Sequence, residues 1–345
     1  MSRHPEDSGF LTLGIDTSCD DTAAAVVRGT SEMLSNVVSS QAGLHQLFGG
    51  VVPELASRKH LERMGPVVEE ALRRAGIGFR DLDAVAVTHG PGLIGSLLVG
   101  VSAAKAYAYS LGIPLIGVNH LEAHVYANVL AGVELRTPAV CLVASGGHTD
   151  IVLVERLGAY RILGWTRDDA AGEAFDKVAR VLGIPQPGGP SIERAAGSGR
   201  PDAIDFPRAR FEDSWDFSFS GLKTAVARLW AKVEEGSLQY RVEDVAASFQ
   251  AAVVEVLADH TGGAAASVRA RQLLLAGGVA ANTMLRQEMR KRSEALGLPL
   301  HYPPLSLCTD NAAMVACAGR HLLLRGPASS LGLDTFSALP LGDHV

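Results

Sequence analysis

The sequence is poor in the features that mark several large protein classes. Of its 345 residues only 6% are aromatic and four are cysteines, namely Cys19, Cys141, Cys308 and Cys317. No two cysteines have C-x-x-C spacing, which argues against a zinc ribbon and against a dithiol redox motif. Scattered thiols in a chain with no predicted signal peptide are typical of a reducing compartment. We therefore expect a cytoplasmic protein.

Two further absences concern nucleotide motifs and membranes. Neither a Walker A sequence nor a Rossmann glycine fingerprint occurs. The most apolar region, residues 82–118, is interrupted by His89, Gly90, Pro91 and Lys105. An uninterrupted membrane span is therefore not predicted. We expect buried strands and helices in this region and no membrane partner.

The chain also lacks an excess of positive charge. Lys and Arg number 31 against 37 Asp and Glu, which gives a net charge of −6. Such a chain does not bind nucleic acid through its overall field alone. If a nucleic acid is a substrate, local basic patches or partner subunits must supply the attraction. Arg58-Lys59-His60 and the basic run 286–292 are candidates, although such runs are usually solvated faces.

Apolar residues and glycine are abundant, at 47% of the chain and 37 positions. Apolar runs flank a polar turn within residues 11–27, and the pattern returns within residues 139–154. Two such hairpins suggest two related lobes, which a chain of this length can form. We place the lobes at residues 1–138 and 139–345, with the alternative that the C-terminal helix packs back on the N-terminal lobe.

Between and after the hairpins the apolar periodicity alternates between the helical and the strand type. We predict helices over 54–75, 93–111 and 171–182, and strands over 83–88, 114–118 and 272–275. Such alternation predicts an α/β fold. Pro187-Gly188-Gly189-Pro190 predicts a rigid turn, and Gly262-Gly263 predicts an interruption of a long helix over 242–270.

The sharpest chemical signal is the segment His120-Leu121-Glu122-Ala123-His124. Residues four apart on a helix differ by about 40° in azimuth, so both imidazoles project from one face. They can share a metal ion if carboxylates complete the site, although such pairs also occur as surface or capping histidines. Glu122 is turned about 200° from His120. This spacing does not fit the H-E-x-x-H motif of zincin proteases.

Three glycine turns follow predicted strands or rigid segments: Ser145-Gly146-Gly147, Gly188-Gly189 and Gly277-Gly278. Glycine lets backbone N–H groups approach phosphate oxygens closely, and a following helix N-terminus adds a favourable field. A single turn of this kind usually only reverses the chain and binds no ligand. Three in one chain, beside the repeated hairpin, favour nucleotide binding.

Acidic residues provide the remaining candidates. Asp168, Asp169 and Glu173 lie where a helix N-terminus stabilises negative charge, so a capping role explains them. Asp176 lies further along the same helix and is a candidate ligand contact. Asp310 is either the N-cap of the last helix or the missing metal carboxylate. The residues alone leave these two roles open.

Ten motifs follow one another along the chain between residues 10 and 325. They are GIDTSCDDT (14–22), GGVVPELASR (49–58), GPGL (90–93), HLEAH (120–124), SGGHT (145–149), DDAAGEAFDK (168–177), PGGP (187–190), FSFSGLKT (217–224), AGGVAAN (276–282) and TDNAAM (309–314). Taken together and in this order, the motifs resemble one family, the universal tRNA N6-adenosine threonylcarbamoyltransferases, in their bacterial form.

The resemblance implies an α/β fold of the actin-like ATPase, sugar-kinase and Hsp70 type, with two related lobes around a nucleotide cleft. It implies an enzyme that transfers the threonylcarbamoyl group from threonylcarbamoyl-AMP to N6 of the adenosine 3′ of the anticodon. The substrates are tRNAs that read codons beginning with A. A metalloprotease, the older interpretation of this family, and a small-metabolite kinase of the same fold are the alternatives.

The resemblance also implies site residues and cofactors. His120, His124 and Asp310 match the ligands of one divalent metal ion, Fe2+ with Zn2+ as the alternative, and an adenine nucleotide is expected in the cleft. The substrate-binding positions of the family fall on Val143, Ala144, Ser145, Gly146, Gly147, Asp176, Gly189, Glu193 and Asn282. Glu193 matches a contact found in only part of the family. No general base is implied.

Departures from the family pattern are small. Asp21 stands where Glu is more frequent in the family, and Ala123 replaces a frequent Gly. His89 stands before Gly-Pro-Gly, where a small residue is common. None of them removes a metal or substrate group. The partners that the resemblance implies are the tRNA, a paralogous scaffold subunit and a small ATPase subunit, with a separate synthase supplying the adenylate. A non-catalytic scaffold of the same fold should not need His120, His124 and Asp310.

Overall fold

The structure is a computed structural model that describes residues 7–46, 48 and 50–341. Residues 1–6, 47, 49 and 342–345 lie outside the described residues. They include Gly49 of the second motif, the start of the predicted N-terminal lobe and the end of the predicted C-terminal lobe. The described strands are β1 (Leu11–Asp16), β2 (Thr22–Arg28), β3 (Glu32–Ser39), β4 (Ala84–Gly90), β5 (Leu115–Asn119), β6 (Ala139–Ala144), β7 (Thr149–Arg156), β8 (Ala159–Trp165), β9 (Gln272–Ala276) and β10 (Leu300–His301). The described α-helices are α1 (Ala42–Gln46), α2 (Pro53–Ala75), α3 (Ile94–Leu111), α4 (His120–Leu130), α5 (Ala171–Val181), α6 (Gly188–Ala196), α7 (Ser220–Glu234), α8 (Val242–Ser267), α9 (Thr283–Leu296) and α10 (Ala312–Leu323).

The chain divides into two compact units, one formed by residues up to Glu134 together with those from Thr309 onward, the other by Leu135–Cys308. In the first unit the described residues form a five-stranded sheet in the order β3-β2-β1-β4-β5. The pairs β1–β2 and β2–β3 are antiparallel, whereas β1–β4 and β4–β5 are parallel. The helix α10 belongs to this unit and packs on β1 and α4.

The second unit repeats this topology. Its described strands form a sheet in the order β10-β9-β6-β7-β8, with β6–β7 and β7–β8 antiparallel and β6–β9 and β9–β10 parallel. Each unit therefore begins with an antiparallel hairpin and continues with parallel strands reached through helices. The repeated hairpin of the sequence corresponds to β1–β2 and β6–β7. The lobe boundary after residue 138 stays a prediction.

In the first unit, β1 is covered on both faces, which explains its continuous apolar run. Leu13 and Ile15 lie in a core with Val68 of α2 and Val101 of α3. On the other face Gly14 lets the start of α10 approach, because a Cβ there would overlap the Ala312 carbonyl oxygen. This close approach brings the residues before α10 to the end of β1.

The helix α3 is the one described helix long and apolar enough, by length and composition, to cross a membrane. A core helix of a water-soluble protein passes the same test, and 33% of this segment is buried within the chain. The helix packs on β4 and α2. Gly95 allows the close approach to α2, since a Cβ there would lie 2.5 Å from Ser57 Oγ. Gly100 allows a close approach to the turn after β1, where a Cβ would lie 2.4 Å from Thr17 Oγ1.

Candidate metal centre and substrate turns

The two histidines of the HLEAH segment lie in the first two turns of α4. Asn119, the last residue of β5, caps this helix by accepting hydrogen bonds from Leu121 N at 2.9 Å and Glu122 N at 3.2 Å. The helix therefore begins at His120, and His124 follows one turn later. The two ring centroids are 4.7 Å apart, and both side chains are buried.

Asp310 faces this pair from the segment before α10. The N-cap of α10 is Asn311, whose Oδ1 accepts a hydrogen bond from Met314 N at 3.0 Å, so Asp310 is not the cap. The Oδ1 atom of Asp310 lies 3.2 Å from His124 Nε2 and 3.5 Å from His120 Nε2. These three potential ligand atoms lie within 4.8 Å of one another.

The geometry of this cluster fits a divalent cation. Ligand atoms that bind one ion at 2.0–2.2 Å lie about 3.0–3.5 Å apart. The observed separations of 3.2 and 3.5 Å between the imidazole nitrogens and Asp310 Oδ1 agree with this value. Two imidazoles and one carboxylate suit Zn2+ and Fe2+, and three protein ligands leave coordination positions for substrate.

The charges around the cluster also favour a cation. Burial favours the neutral ring of His120, but the carboxylates of Asp310 and Asp16 outweigh it and raise the pKa of His120 to about 10. Burial would raise the pKa of Asp310, yet His120 and His124 hold it well below its usual range. The negative field that favours a proton on His120 also favours a metal ion. Metal binding must therefore displace that proton and depends on pH.

Asp16 lies beside the cluster, although the sequence patterns assigned it no role. Its Oδ2 atom is 3.4 Å from His120 Nδ1, and its side chain is 1% exposed. The order of the strands in the sheet explains why Asp16 lies next to His120. Because β1, β4 and β5 are parallel neighbours, their carboxyl ends meet at one edge, where ligands of α/β proteins bind. Asp16 ends β1, and His120 follows β5.

Glu122 does not join the cluster of ligand atoms among the described residues. It is fully buried in α4, two positions after His120. A metalloprotease of the zincin type needs a carboxylate directly after the first histidine, on the metal-facing side. The position of Glu122 does not meet this requirement.

In the second unit, the first predicted substrate turn joins β6 to β7. Val143 and Ala144 are buried strand residues, and Ser145 closes the turn by donating its backbone N–H to the His148 carbonyl oxygen at 2.8 Å. The Ser145 carbonyl oxygen accepts from Gly172 N of α5 at 3.1 Å. A Cβ at Gly146 or Gly147 would have no atom within 4 Å, so packing does not require glycine there.

The second turn precedes and opens α6. Asp176 of α5 accepts a hydrogen bond from Gly188 N through Oδ1 at 2.6 Å. A Cβ at Gly188 would lie 2.5 Å from Asp176 Cα, whereas one at Gly189 would have no atom within 4 Å. The predicted rigid turn is therefore the first turn of a helix, with Pro187 as its N-cap.

The third turn follows β9 and leads to α9. Gly277 has φ +84°, and a Cβ there would overlap the Ala144 carbonyl, so this glycine is needed for packing against the first turn. Asn282 caps α9 by accepting from Leu285 N at 2.9 Å, and its Nδ2 donates to Gln250 Oε1 at 2.8 Å. Glu193 Oε1 accepts from Thr283 N at 2.7 Å.

Asp168 and Asp169 do not cap α5, whose N-cap is Ala170. Asp168 accepts hydrogen bonds from the segment Ser218–Ser220, and Asp169 forms ion pairs with Lys177 and Lys223 at 2.6 and 2.7 Å. The capping interpretation of these two residues was wrong, because tertiary partners from the FSFSGLKT motif take up the charges. The network fixes that motif to the start of α5.

The structure therefore brings the twelve predicted site residues together in two groups. The three metal candidates lie in the first unit, and the nine substrate candidates lie on the linked turns after β6, at α5–α6 and after β9 in the second unit. Their roles as ligands stay predictions. Asp176, Glu193 and Asn282 also support neighbouring backbone, a role that the motifs did not indicate.

The sequence is similar throughout its length to bacterial tRNA-modifying enzymes. A sequence profile of the TsaD family, tRNA N6-adenosine threonylcarbamoyltransferase, matches residues 32–317. The chain is 57% identical over 330 residues to the tRNA N6-adenosine threonylcarbamoyltransferase of Moorella thermoacetica, covering 95% of this chain and 96% of the relative. It is 55% identical over 343 residues to the enzyme of that name in Geobacillus thermodenitrificans, covering 99% and 100%.

Solved structures confirm the predicted fold class. HypF of T. kodakarensis matches with a TM-score of 0.62 and 15% identity, covering 93% of this chain and 49% of that chain. The (R)-2-hydroxyglutaryl-CoA dehydratase component A of Acidaminococcus fermentans matches with a TM-score of 0.54 and 14% identity, covering 92% and 100%. Both are proteins of the actin-like ATPase fold. Identities this low show the fold alone.

Proposed function

The chain belongs to the tRNA N6-adenosine threonylcarbamoyltransferase family, and from this premise we propose how its residues perform the reaction. The enzyme transfers the threonylcarbamoyl group from threonylcarbamoyl-AMP to N6 of the adenosine 3′ of the anticodon. The new bond joins N6 to the carbamoyl carbon. The bond from that carbon to the phosphate oxygen breaks, AMP leaves, and N6 loses a proton.

The single observation that carries the proposal is the cluster of two buried histidines, His120 and His124, with the partly buried Asp310 in a chain of this family. These residues would hold one divalent cation, for which we propose Fe2+, with Zn2+ as the alternative. When bound, the ion supplies a Lewis acid that stabilises negative charge developing on the acyl group. His120 and His124 present Nε2 to the same point as Asp310 Oδ1, so the protein holds its ligand atoms in place before the ion binds.

The glycine turns of the second unit would hold the adenylate. A methyl group added at Gly146, Gly147 or Gly189 would have no atom within 4 Å, and none of the three has a left-handed φ, so the fold itself does not require glycine there. Close approach of a phosphate to the backbone N–H groups explains why these positions lack side chains. We propose that an adenine nucleotide binds at these turns and that Asn282 lies beside it.

Asp176 and Glu193 are proposed to orient the threonyl group, and the hydrogen bonds that they make limit how they do so. Asp176 Oδ1 already accepts from Gly188 N, and Glu193 Oε1 accepts from Thr283 N. One oxygen of Asp176 is thus bound to the start of α6, and one oxygen of Glu193 is bound to the start of α9. Such anchoring fixes the direction of the second oxygen, and preorganised positioning of this kind lowers the cost of bringing the reactants together.

The tRNA is the acceptor substrate. Because the net charge is −6, we propose that partner subunits contribute to tRNA binding, namely a paralogous scaffold subunit and a small ATPase subunit. We propose a cytoplasmic location, where the tRNA pool and the reducing conditions suited to the four free cysteines coincide.

Reconstitution with the partner subunits and the adenylate synthase tests this function. The mixture contains threonine, bicarbonate, ATP and unmodified tRNA, and nucleoside mass spectrometry detects N6-threonylcarbamoyladenosine. We expect product with the wild-type chain and none with His124→Ala. His321→Gln, at the other end of α10 from Asp310, is the control and should retain activity. Absence of product where a relative is active, or full activity of His124→Ala, would refute the proposal.

A further inference from the structure

Asp16 is the last residue of β1, at the sheet edge from which α4 and its histidines emerge. Its side chain is 1% exposed, and the ring of His120 is 4% exposed. A carboxylate buried to this degree is costly unless it is paired with a charge or a hydrogen-bond donor. The contacts of its two oxygens therefore indicate what it does.

Each oxygen of Asp16 has a different neighbour. Oδ1 accepts a hydrogen bond from Ser18 N at 2.9 Å, which ties the carboxylate to the turn after β1. Oδ2 is buried and lies 3.4 Å from His120 Nδ1, with no closer hydrogen-bond partner among the residues that the structure describes. This distance is within ion-pair range and longer than the 2.7–2.9 Å or so of a tight charge-assisted hydrogen bond.

The contact is on the edge of the ring opposite the metal candidates. His120 presents Nε2 to Asp310 Oδ1 at 3.5 Å and Nδ1 to Asp16. The group of three potential ligands comprises His120, His124 and Asp310 and does not include Asp16. Asp16 is therefore placed to act on the histidine rather than to be a fourth ligand.

We propose that Asp16 is a positioning residue of the metal centre, an inference that rests on the metal site proposed above. Its Oδ2 accepts a hydrogen bond from the Nδ1–H group of His120 and thereby fixes the tautomer whose Nε2 lone pair faces Asp310. It also fixes the ring orientation and makes Nε2 more basic. Carboxylates in this relation to a ligating histidine commonly change metal affinity by about 10- to 100-fold.

Asp83, which precedes β4 and contacts the first residue of β1, offers a matched control. Asp83 Oδ2 accepts a hydrogen bond from Leu11 N at 2.9 Å, and the side chain is 6% exposed. Asp16 and Asp83 are thus two buried carboxylates that each bind a backbone N–H at one end of β1. Of these two carboxylates, Asp16 is the one that lies within ion-pair distance of a metal candidate, His120. Replacing Asp83 tests whether anchoring β1 is enough to explain an effect.

The test is a titration of the metal-free full chain with Co2+, read by its visible absorption and by calorimetry. We expect Asp16→Ala to weaken Co2+ binding about 10- to 100-fold. Asp16→Asn should weaken it at least as much, because its oxygen would stay on Ser18 N and its Nδ2 donor would then face the Nδ1 of His120 and disfavour the required tautomer. The Asn side chain can still accept from Ser18 N, so Asp16→Asn decides the question if Asp16→Ala does not fold. Asp83→Ala, which removes the acceptor for Leu11 N, should lower the melting temperature and leave the Co2+ affinity within about twofold of wild type.

The outcomes separate this inference from the metal site itself. Unchanged affinity and absorption in Asp16→Asn and in folded Asp16→Ala would overturn the positioning role while leaving the site intact. Equal loss of affinity in Asp83→Ala would also overturn it, because strand anchoring would then explain the effect. If wild type binds no Co2+, or His124→Ala binds it equally well, the proposed metal site fails and this inference fails with it.

Discussion

Two adjacent glycines at the start of α6 should respond in opposite ways to the same substitution. In Gly188→Ala the new Cβ would lie 2.5 Å from Asp176 Cα and 2.6 Å from the Phe175 carbonyl oxygen. Both are backbone atoms that cannot rotate away, and overpacking of this kind costs about 1–3 kcal/mol. In Gly189→Ala the Cβ would have no atom within 4 Å, and alanine is the better helix former.

The expected magnitudes can be measured separately as stability and binding. Gly188→Ala should lower the melting temperature by several degrees, since about 1 kcal/mol corresponds to roughly 2–4 °C in a unit of this size. Gly189→Ala should be as stable as wild type or more stable by up to about 1 kcal/mol. Its affinity for AMP, measured by calorimetry, should nevertheless fall, because the methyl group occupies the position through which a phosphate approaches the backbone.

Thermal and urea denaturation of the two variants, with AMP titration of each, therefore distinguish packing from ligand contact. A Gly188→Ala protein as stable as wild type would refute the packing argument. A Gly189→Ala protein with wild-type affinity for AMP would refute the contact between this turn and the adenylate.

Two further predictions concern buried or bonded carboxylates of the second unit. Burial raises the pKa of Asp150 from 3.8 to about 7, and its buried Oδ2 has no hydrogen-bond partner among the described residues. Ionisation of this carboxyl group therefore lowers the stability of the fold as the pH rises from about 4 through 7. Asp150→Asn should therefore stabilise the protein at pH 8 and not at pH 3 in denaturation experiments, and equal effects at both values would contradict this. Asp168→Ala removes the acceptor for Ser218 Oγ, Phe219 N and Ser220 Oγ, and it should lower the free energy of unfolding by about 2 kcal/mol at pH 7. It should also speed proteolysis near residue 218, and an unchanged cleavage rate would count against this prediction.

Much of the fold could be predicted because apolar periodicity reports burial directly. The predicted helices over 54–75, 93–111 and 171–182 correspond to α2, α3 and α5 within one residue at each end. The predicted strands over 83–88, 114–118 and 272–275 correspond to β4, β5 and β9. These segments have patterns set by their own residues, so local reasoning is sufficient for them.

Glycine-containing segments were predicted less well because their conformation depends on distant partners. The interruption predicted at Gly262-Gly263 was wrong, since α8 continues through both residues. Gly263 packs against the ring of Trp215, which leaves no space for a side chain, and this tertiary contact compensates for its poor helix propensity. Similarly, Gly188 starts a helix because Asp176 binds its N–H group.

For the candidate site, the sequence indicated which residue types belong together but not their arrangement. The spacing of His120 and His124 was sufficient to predict that they share a face. It left Asp310 open between a cap and a ligand, and only the hydrogen bond from Met314 N to Asn311 shows that the cap is Asn311. Asp16 escaped notice because its neighbour His120 is more than 100 residues away, and only the sheet order brings them together.

The most direct test of the account is threonylcarbamoyl transfer from purified threonylcarbamoyl-AMP to unmodified tRNA, measured in one turnover with the partner subunits present. Supplying the adenylate removes every step except the one assigned to this chain. With the divalent metal added, wild type should form N6-threonylcarbamoyladenosine, while His120→Ala, His124→Ala and Asp310→Ala form none above the rate without enzyme. Transfer at the wild-type rate by any of these three variants would contradict the proposed metal centre.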